Sequence, residues 1–143
     1  MFDKISGEIE SMRDNIKELR KNLSLYSIHL NTLDALWDNI PAIIFYKDNL
    51  NTLVKVNDYF CKVMNCKKED VEGKNICEMT KDDVLAAKYA SNDLFVLNTG
   101  VPKLGIEEPL FDTGIQLRTD KFPIKINGKI EGIMGFSVIV NKE

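Results

Sequence analysis

Three cysteines, one histidine and a few acids are the side chains of this chain best suited to bond-making chemistry, and their spacing argues against it. Cys61, Cys66 and Cys77 are odd in number and never approach a C-x-x-C spacing, so neither a disulfide framework nor a zinc site is expected. They read as small apolar residues of a reducing compartment. The single histidine, His29, has no kinase-type sequence around it and reads as a solvated residue. Asp58, Glu107 and Glu108 are acids that a small α+β isomerase or hydrolase would draw on. They form no carboxylate pair, and the chain shows no nucleophile elbow, metal cluster or phosphate-binding loop. No catalytic residue and no metal ligand is assigned, and an enzyme is the remote alternative.

At 143 residues the chain is long enough for one ordinary domain and an appendage. A net charge of -3, with acids and bases interleaved, offers no basic stripe for phosphates, so nucleic acid is not expected as a partner. The longest apolar run, around residues 40–46, falls far short of the roughly 20 residues a membrane helix needs, and Met-Phe-Asp-Lys is no secretory start. No membrane partner and a cytoplasmic location are the expectation.

The amino-terminal appendage has a pattern of its own. Apolar residues fill two interleaved heptad series: Phe2, Ile9, Ile16, Leu23, Leu30 and Trp37, then Ile5, Met12, Leu19, Tyr26, Leu33 and Ile40. A sustained period of about 3.5 residues keeps one seam facing a partner helix and defines a coiled coil. Acid precedes base at Glu10/Arg13, Asp14/Lys17 and Glu18/Lys21, which supports the exposed face. His29 flanks the seam. Residues 1–39 are read as this helix, ended by Pro41, with a second copy of the chain as its partner in a parallel homodimer. Ser24 is a candidate cap for a break within it.

From Pro41 onward the period changes. Residues 42–46 (AIIFY) and 53–56 read as two strands around a turn at Asp48-Asn49. Asn57 or Asp58 then caps a short helix carrying Tyr59, Phe60, Val63 and Met64 at helical spacing and ending near Asn65. Thr80 or Asp82 caps a helix over 84–89, and 91–98 reads as another, stopped by Gly100 and Pro102. Strands follow at 104–111, 115–126 and 130–140, the last two joined by the hairpin turn Asn127-Gly128. Pro109 marks an edge or bulge, and the apolar parity shifts between Leu117 and Phe122, which reads as an irregularity.

Taken in order, Asp48, Val56-Asn57, Phe60, Glu69-Asp70-Val71, Gly73-Lys74, the LNTGVP run at 97–102, and Lys121, Pro123, Gly128, Gly132 and Gly135 resemble the PAS sensor domain family. The resemblance spans residues 39–140 and sets the domain at 40–143. It implies an α+β fold: a five-stranded antiparallel sheet of order 2-1-5-4-3 with short helices on one face, preceded by the long helix.

The family often holds a ligand between sheet and helices. The candidates this implies are Phe45, Val56, Phe60, Met64, Ile76, Leu94, Phe95, Leu97, Leu117, Met134 and Phe136, each of which also suits plain core. Haem-binding members use a histidine in the later helices, where this chain has none. Light-sensing flavin members carry Gly-x-Asn-Cys-Arg, whereas Gly73-Lys74-Asn75 runs here into Ile76, with Cys77 one place late and Glu78 for the arginine. Neither haem nor an adduct-forming flavin is expected as cofactor; a small apolar or aromatic ligand fits the candidates. The implied function is a dimeric, non-catalytic sensory module acting on an output domain outside this chain, such as a histidine kinase or nucleotide cyclase. A ligand-free dimerisation scaffold is the alternative.

Overall fold

The computed structural model describes residues 1–75 and 78–140. The chain divides into two compact units, Met1–Trp37 and Asp38–Glu143. Helix α1 (Phe2–Asn39) makes up the first and continues without a break through Ser24. Serine in a helix interior costs only a few tenths of a kcal/mol, too little to interrupt a run this long. None of its residues is buried in the single chain.

The second unit is built on one antiparallel sheet of order β2-β1-β5-β4-β3. Its strands are β1 (Ile43–Asp48), β2 (Leu53–Val56), β3 (Lys103–Pro109), β4 (Gln116–Ile126) and β5 (Lys129–Ile139). Three short-range devices set the register. Asp48 Oδ1 accepts from the Leu50 and Thr52 N–H groups at 2.9 and 3.0 Å, closing the β1–β2 turn. Asn127 and Gly128, at φ 51° and 77°, make the tight β4–β5 hairpin, which needs positive φ at both positions. Pro109 sits in β3, an edge strand, where its missing N–H leaves no central ladder bond unmade.

Asn57 supplies a further, longer-range device and settles which residue caps α2 (Asp58–Met64). Its Oδ1 accepts from Phe60 N–H and from Ile44 N–H, both at 3.1 Å, and its Nδ2 donates to the Ala42 carbonyl at 2.8 Å. One fully buried amide thereby ties the start of β1 to the start of α2. Asn65 ends α2 in the left-handed conformation, and a single turn, α3 (Lys68–Val71), follows.

One helix, α4 (Asp83–Thr99), replaces the two expected over 84–98. Asp82 caps it by accepting from Val84 and Leu85 N–H at 3.0 Å each, and Gly100 at φ 67° ends it. Its buried stripe is Leu85, Ala86, Tyr89, Asn92, Asp93 and Val96, a helical spacing in which two members are polar. Those two polar letters broke the apolar pattern in the sequence and not the helix itself.

The core lies between the sheet and these helices, with Ile43, Phe45, Leu53, Val56, Phe60, Val71, Leu85, Tyr89, Leu110, Phe111 and Leu117 in one cluster. Gly135 lets the core close over β5, because a Cβ there would run into the Phe45 ring. Between Leu117 and Phe122 the pairing of β4 with β5 is regular, and the irregularity lies on its other side, where β3 carries an extra residue between Lys103 and Ile106 opposite Lys121 and Thr119. The parity shifts because the inner face of β4 reads Leu117, Thr119, Lys121, two of which are polar yet buried.

Candidate functional site

A cavity lies over the inner face of the sheet, with Ile43, Phe45, Leu53 and Leu117 on its walls, closed by Phe60 of α2 and Tyr89 of α4. Leu110 and Phe111, just beyond β3, complete the apolar side, and Lys47, Glu108, Lys121 and Ser137 bring polar atoms to it. Its volume is about 30 Å³, room for about two water molecules.

The polar side is a buried ionic cluster. Lys47 Nζ donates to Asp93 Oδ2 at 2.6 Å and Lys121 Nζ to Asp93 Oδ1 at 2.7 Å. The three side chains are 2%, 1% and 0% exposed. Burial pushes the Lys47 ammonium below the usual lysine range; the Asp93 charge opposes that shift, and the neighbouring Lys121 adds to it. One carboxylate thus holds two ammonium groups, each oxygen serving one of them. The Lys47 ammonium also stands 5.2 Å from the Phe45 ring centroid and that of Lys121 5.8 Å from the Tyr89 ring, so aromatic faces cover both charges.

Glu108 adds a second acid. It is 4% exposed, and it acts electrostatically on Lys47.

Tyr89 anchors α4 to the segment after β3. Its hydroxyl donates to the Pro109 carbonyl and accepts from Phe111 N–H at 3.0 Å. Its ring meets Phe111 edge-on at 5.6 Å. Burial raises its pKa to about 12 against the effect of the Phe111 N–H.

The residues expected from sequence separate into five groups. Phe45, Phe60 and Leu117 line the cavity. Val56 is core, with Met64 packed against it, and Leu97 is half-buried; none of these three is on the cavity wall. Leu94 and Phe95 are exposed, one step of helical rotation from the buried Asp93 and Val96. Met134 and Phe136 alternate along β5 with Ile133 and Ser137, and Ser137 is the residue that reaches the cavity, so they belong to the opposite sheet face. Ile76, and Cys77 of the flavin comparison, lie outside the described residues.

The ionic members of the site, Lys47, Asp93, Glu108 and Lys121, were missed altogether as binding residues. The one available signal was in β1 and β4, where Lys47 continues the Ile43, Phe45 alternation and Lys121 continues that of Leu117. Burial pushes the Cys61 thiol up to about 11, which keeps it protonated and a poor nucleophile at neutral pH. Among the described residues no group of three or more His, Cys, Asp or Glu is placed to hold a metal ion. No described helix is long and apolar enough to cross a membrane.

No protein-family model matches the sequence, and no curated protein does. Solved structures do. VqmA of Vibrio cholerae, described as a LuxR-type receptor and captured as a dimer without its target DNA, is 22% identical with a TM-score of 0.66, over 78% of this chain and 51% of that one. The PAS domain of Bordetella pertussis BvgS is 20% identical with a TM-score of 0.59, over 81% of this chain and 88% of that one. A sensory box sensor histidine kinase from Vibrio cholerae is 22% identical with a TM-score of 0.61, over 86% of this chain and 99% of that one.

The chain spans about half the length of the VqmA structures it matches. VqmA has also been solved with ligand and DNA together, and this overturns the expectation that nucleic acid is excluded as a partner. The net charge of -3 is that of the 143 residues, which match only half of that structure. The sheet order, the helical cover and these likenesses agree on one point: the chain has the fold of the PAS sensor domains.

Proposed function

We propose that this chain is a non-catalytic sensory module that dimerises through α1 and binds a small molecule in the cavity between the sheet and α2 and α4. The observation that carries the reading is the cavity itself, set over the inner sheet face of a PAS fold and lined by both aromatic and ionisable side chains. Dimerisation draws support from the unbroken heptad seam of α1, whose apolar residues are exposed in the single chain. VqmA, a neighbour in fold, is a dimer, and VqmA has been solved bound to DPO. The module would transmit a ligand-dependent shift of population to an output domain, as in a sensor histidine kinase or a DNA-binding receptor, both of which occur among the similar structures. Cys61 and Cys66, both free, suit a reducing cytoplasm.

A ligand-free dimerisation scaffold is the second reading, favoured by the small size of the cavity, which holds about two waters as it stands. Native mass spectrometry of freshly purified protein, compared with the denatured chain, separates the two. A sensor gives a dimer carrying extra mass that denaturation releases. A dimer of bare mass supports the scaffold, and a bare monomer sinks both.

A further inference from the structure

One polar atom on the cavity wall is left unserved by the fold. Glu108 is the single buried residue of β3, it lines the cavity, and its Oε2 has no hydrogen-bond partner among the described residues. Buried carboxylate oxygens are rarely left without donors, because removing such a group from water is costly. The nearby ammonium groups of Lys47 and Lys121 each give one N–H to Asp93 and none to Glu108. A lysine ammonium has three N–H groups, so each keeps donors beyond the one Asp93 takes.

Charge narrows the class of ligand. With Lys47 and Lys121 protonated and Asp93 and Glu108 ionised, the formal charges of the cluster cancel. A buried anion or cation would break that balance, whereas a neutral molecule would keep it.

Resting on the reading that the cavity takes a ligand, we propose that this ligand is a small neutral molecule of the amide class, whose N–H donates to Glu108 Oε2 and whose carbonyl oxygen accepts from Lys47 or Lys121. Its apolar part then faces Phe45, Phe60 and Leu117. A ligand larger than about two waters, for which the cavity has room, must displace part of this wall, and Phe45 and Phe60 are the side chains to move.

Two isomers of one composition make the test. N-Methylacetamide has an N–H, and N,N-dimethylformamide has the same atoms and a carbonyl but no N–H. Each is titrated into the full chain while the NMR signals of Leu53, Leu117 and the cavity phenylalanines are followed. A hydrogen bond to a charged acceptor predicts binding about tenfold tighter for N-methylacetamide. In Glu108→Leu the preference should vanish, and the thermal midpoint should fall, because the change removes one of the two acids that balance Lys47 and Lys121. Glu108→Gln is the conservative control and should keep part of the preference, because its amide oxygen still accepts. Equal saturable binding of both isomers to the wild type would overturn the amide class and leave a ligand cavity standing. If neither isomer moves the cavity signals, the inference fails and the ligand reading fails with it.

Discussion

Along α1, Ile16 and Leu19 are 48% and 61% exposed, while between the inner face of the sheet and α4 two lysines and an aspartate are shut away almost completely. Each region inverts the ordinary sorting of side chains, and the two inversions have different remedies. Apolar surface left in water is relieved by another surface of the same kind, from outside the chain. Charge withdrawn from water has to be neutralised on the spot, and here Asp93, with one oxygen for each lysine, does so together with Glu108. The first region is thus open to a partner and the second closed around its own ions, with Glu108 Oε2 left unserved.

The largest effect should come from removing the shared counter-charge. Asp93→Ala strands two buried ammonium groups and should cost on the order of 3 to 5 kcal/mol, read as a large fall in the thermal midpoint. Replacing the whole cluster together, Lys47→Met, Asp93→Leu, Glu108→Leu and Lys121→Met, should restore stability to about the wild-type level or above it. A near-neutral Asp93→Ala would mean that the lysines find water or lose their protons, and the closed half of the contrast would be wrong.

Phenylalanines on the two sheet faces give the next effect. Phe60 is buried under the cavity, so Phe60→Ala should cost about 3 to 5 kcal/mol through lost transfer energy and the void left behind. Phe136 is half-buried on the opposite face of the sheet, and Phe136→Ala should cost clearly less. Equal losses in urea unfolding would show that the outer face is as deeply covered as the inner one.

These pairs also show what was legible in the letters. The Asn127-Gly128 hairpin, the Gly100 stop and the edge position of Pro109 could be read because each depends on local backbone chemistry, whereas the strand order came only from the family resemblance. The cavity could be read only in part. Phe45, Phe60 and Leu117 are apolar and inward, which is what alternation detects. Lys47, Asp93 and Lys121 are charged and inward, and a pattern rule sends such residues outward. Leu94, Phe95, Met134 and Phe136, which the family resemblance offered as pocket residues, lie away from the cavity on the exposed side of α4 and the opposite face of β5. Only a pairing across 46 residues, Lys47 with Asp93, makes the charged positions tolerable, and no local window contains it.

A smaller effect concerns pH. The Tyr89 pKa rises from 10 to about 12 in the folded chain, so the folded state keeps a proton that the unfolded state gives up. The stability this contributes is complete below pH 10 and is lost as pH rises through about 12. Unfolding free energy should therefore fall across that window in the wild type. In Tyr89→Phe that part of the slope should be missing, after a uniform loss of about 1 kcal/mol for the hydrogen bonds of the hydroxyl. An identical slope in both proteins would assign the alkaline loss to other groups.

The smallest effect on the folded core, and the sharpest test of the open region, belongs to α1. Ile16→Glu with Leu19→Glu puts two charges on the seam at positions that are exposed in the single chain, so no buried contact of that chain is lost. The thermal midpoint of the unit Asp38–Glu143 should hardly move at high dilution, where association is already weak. Association itself should collapse, because acids at facing seam positions bring like charges together where apolar knobs would pack. Sedimentation equilibrium of the full chain should show a dimer for the wild type and a monomer for the double variant. A wild-type monomer would mean that the exposed seam awaits a different protein. A variant that remained dimeric would place the interface on the unit Asp38–Glu143, and the contrast between an open helix and a closed cavity would then have to be drawn within that unit alone.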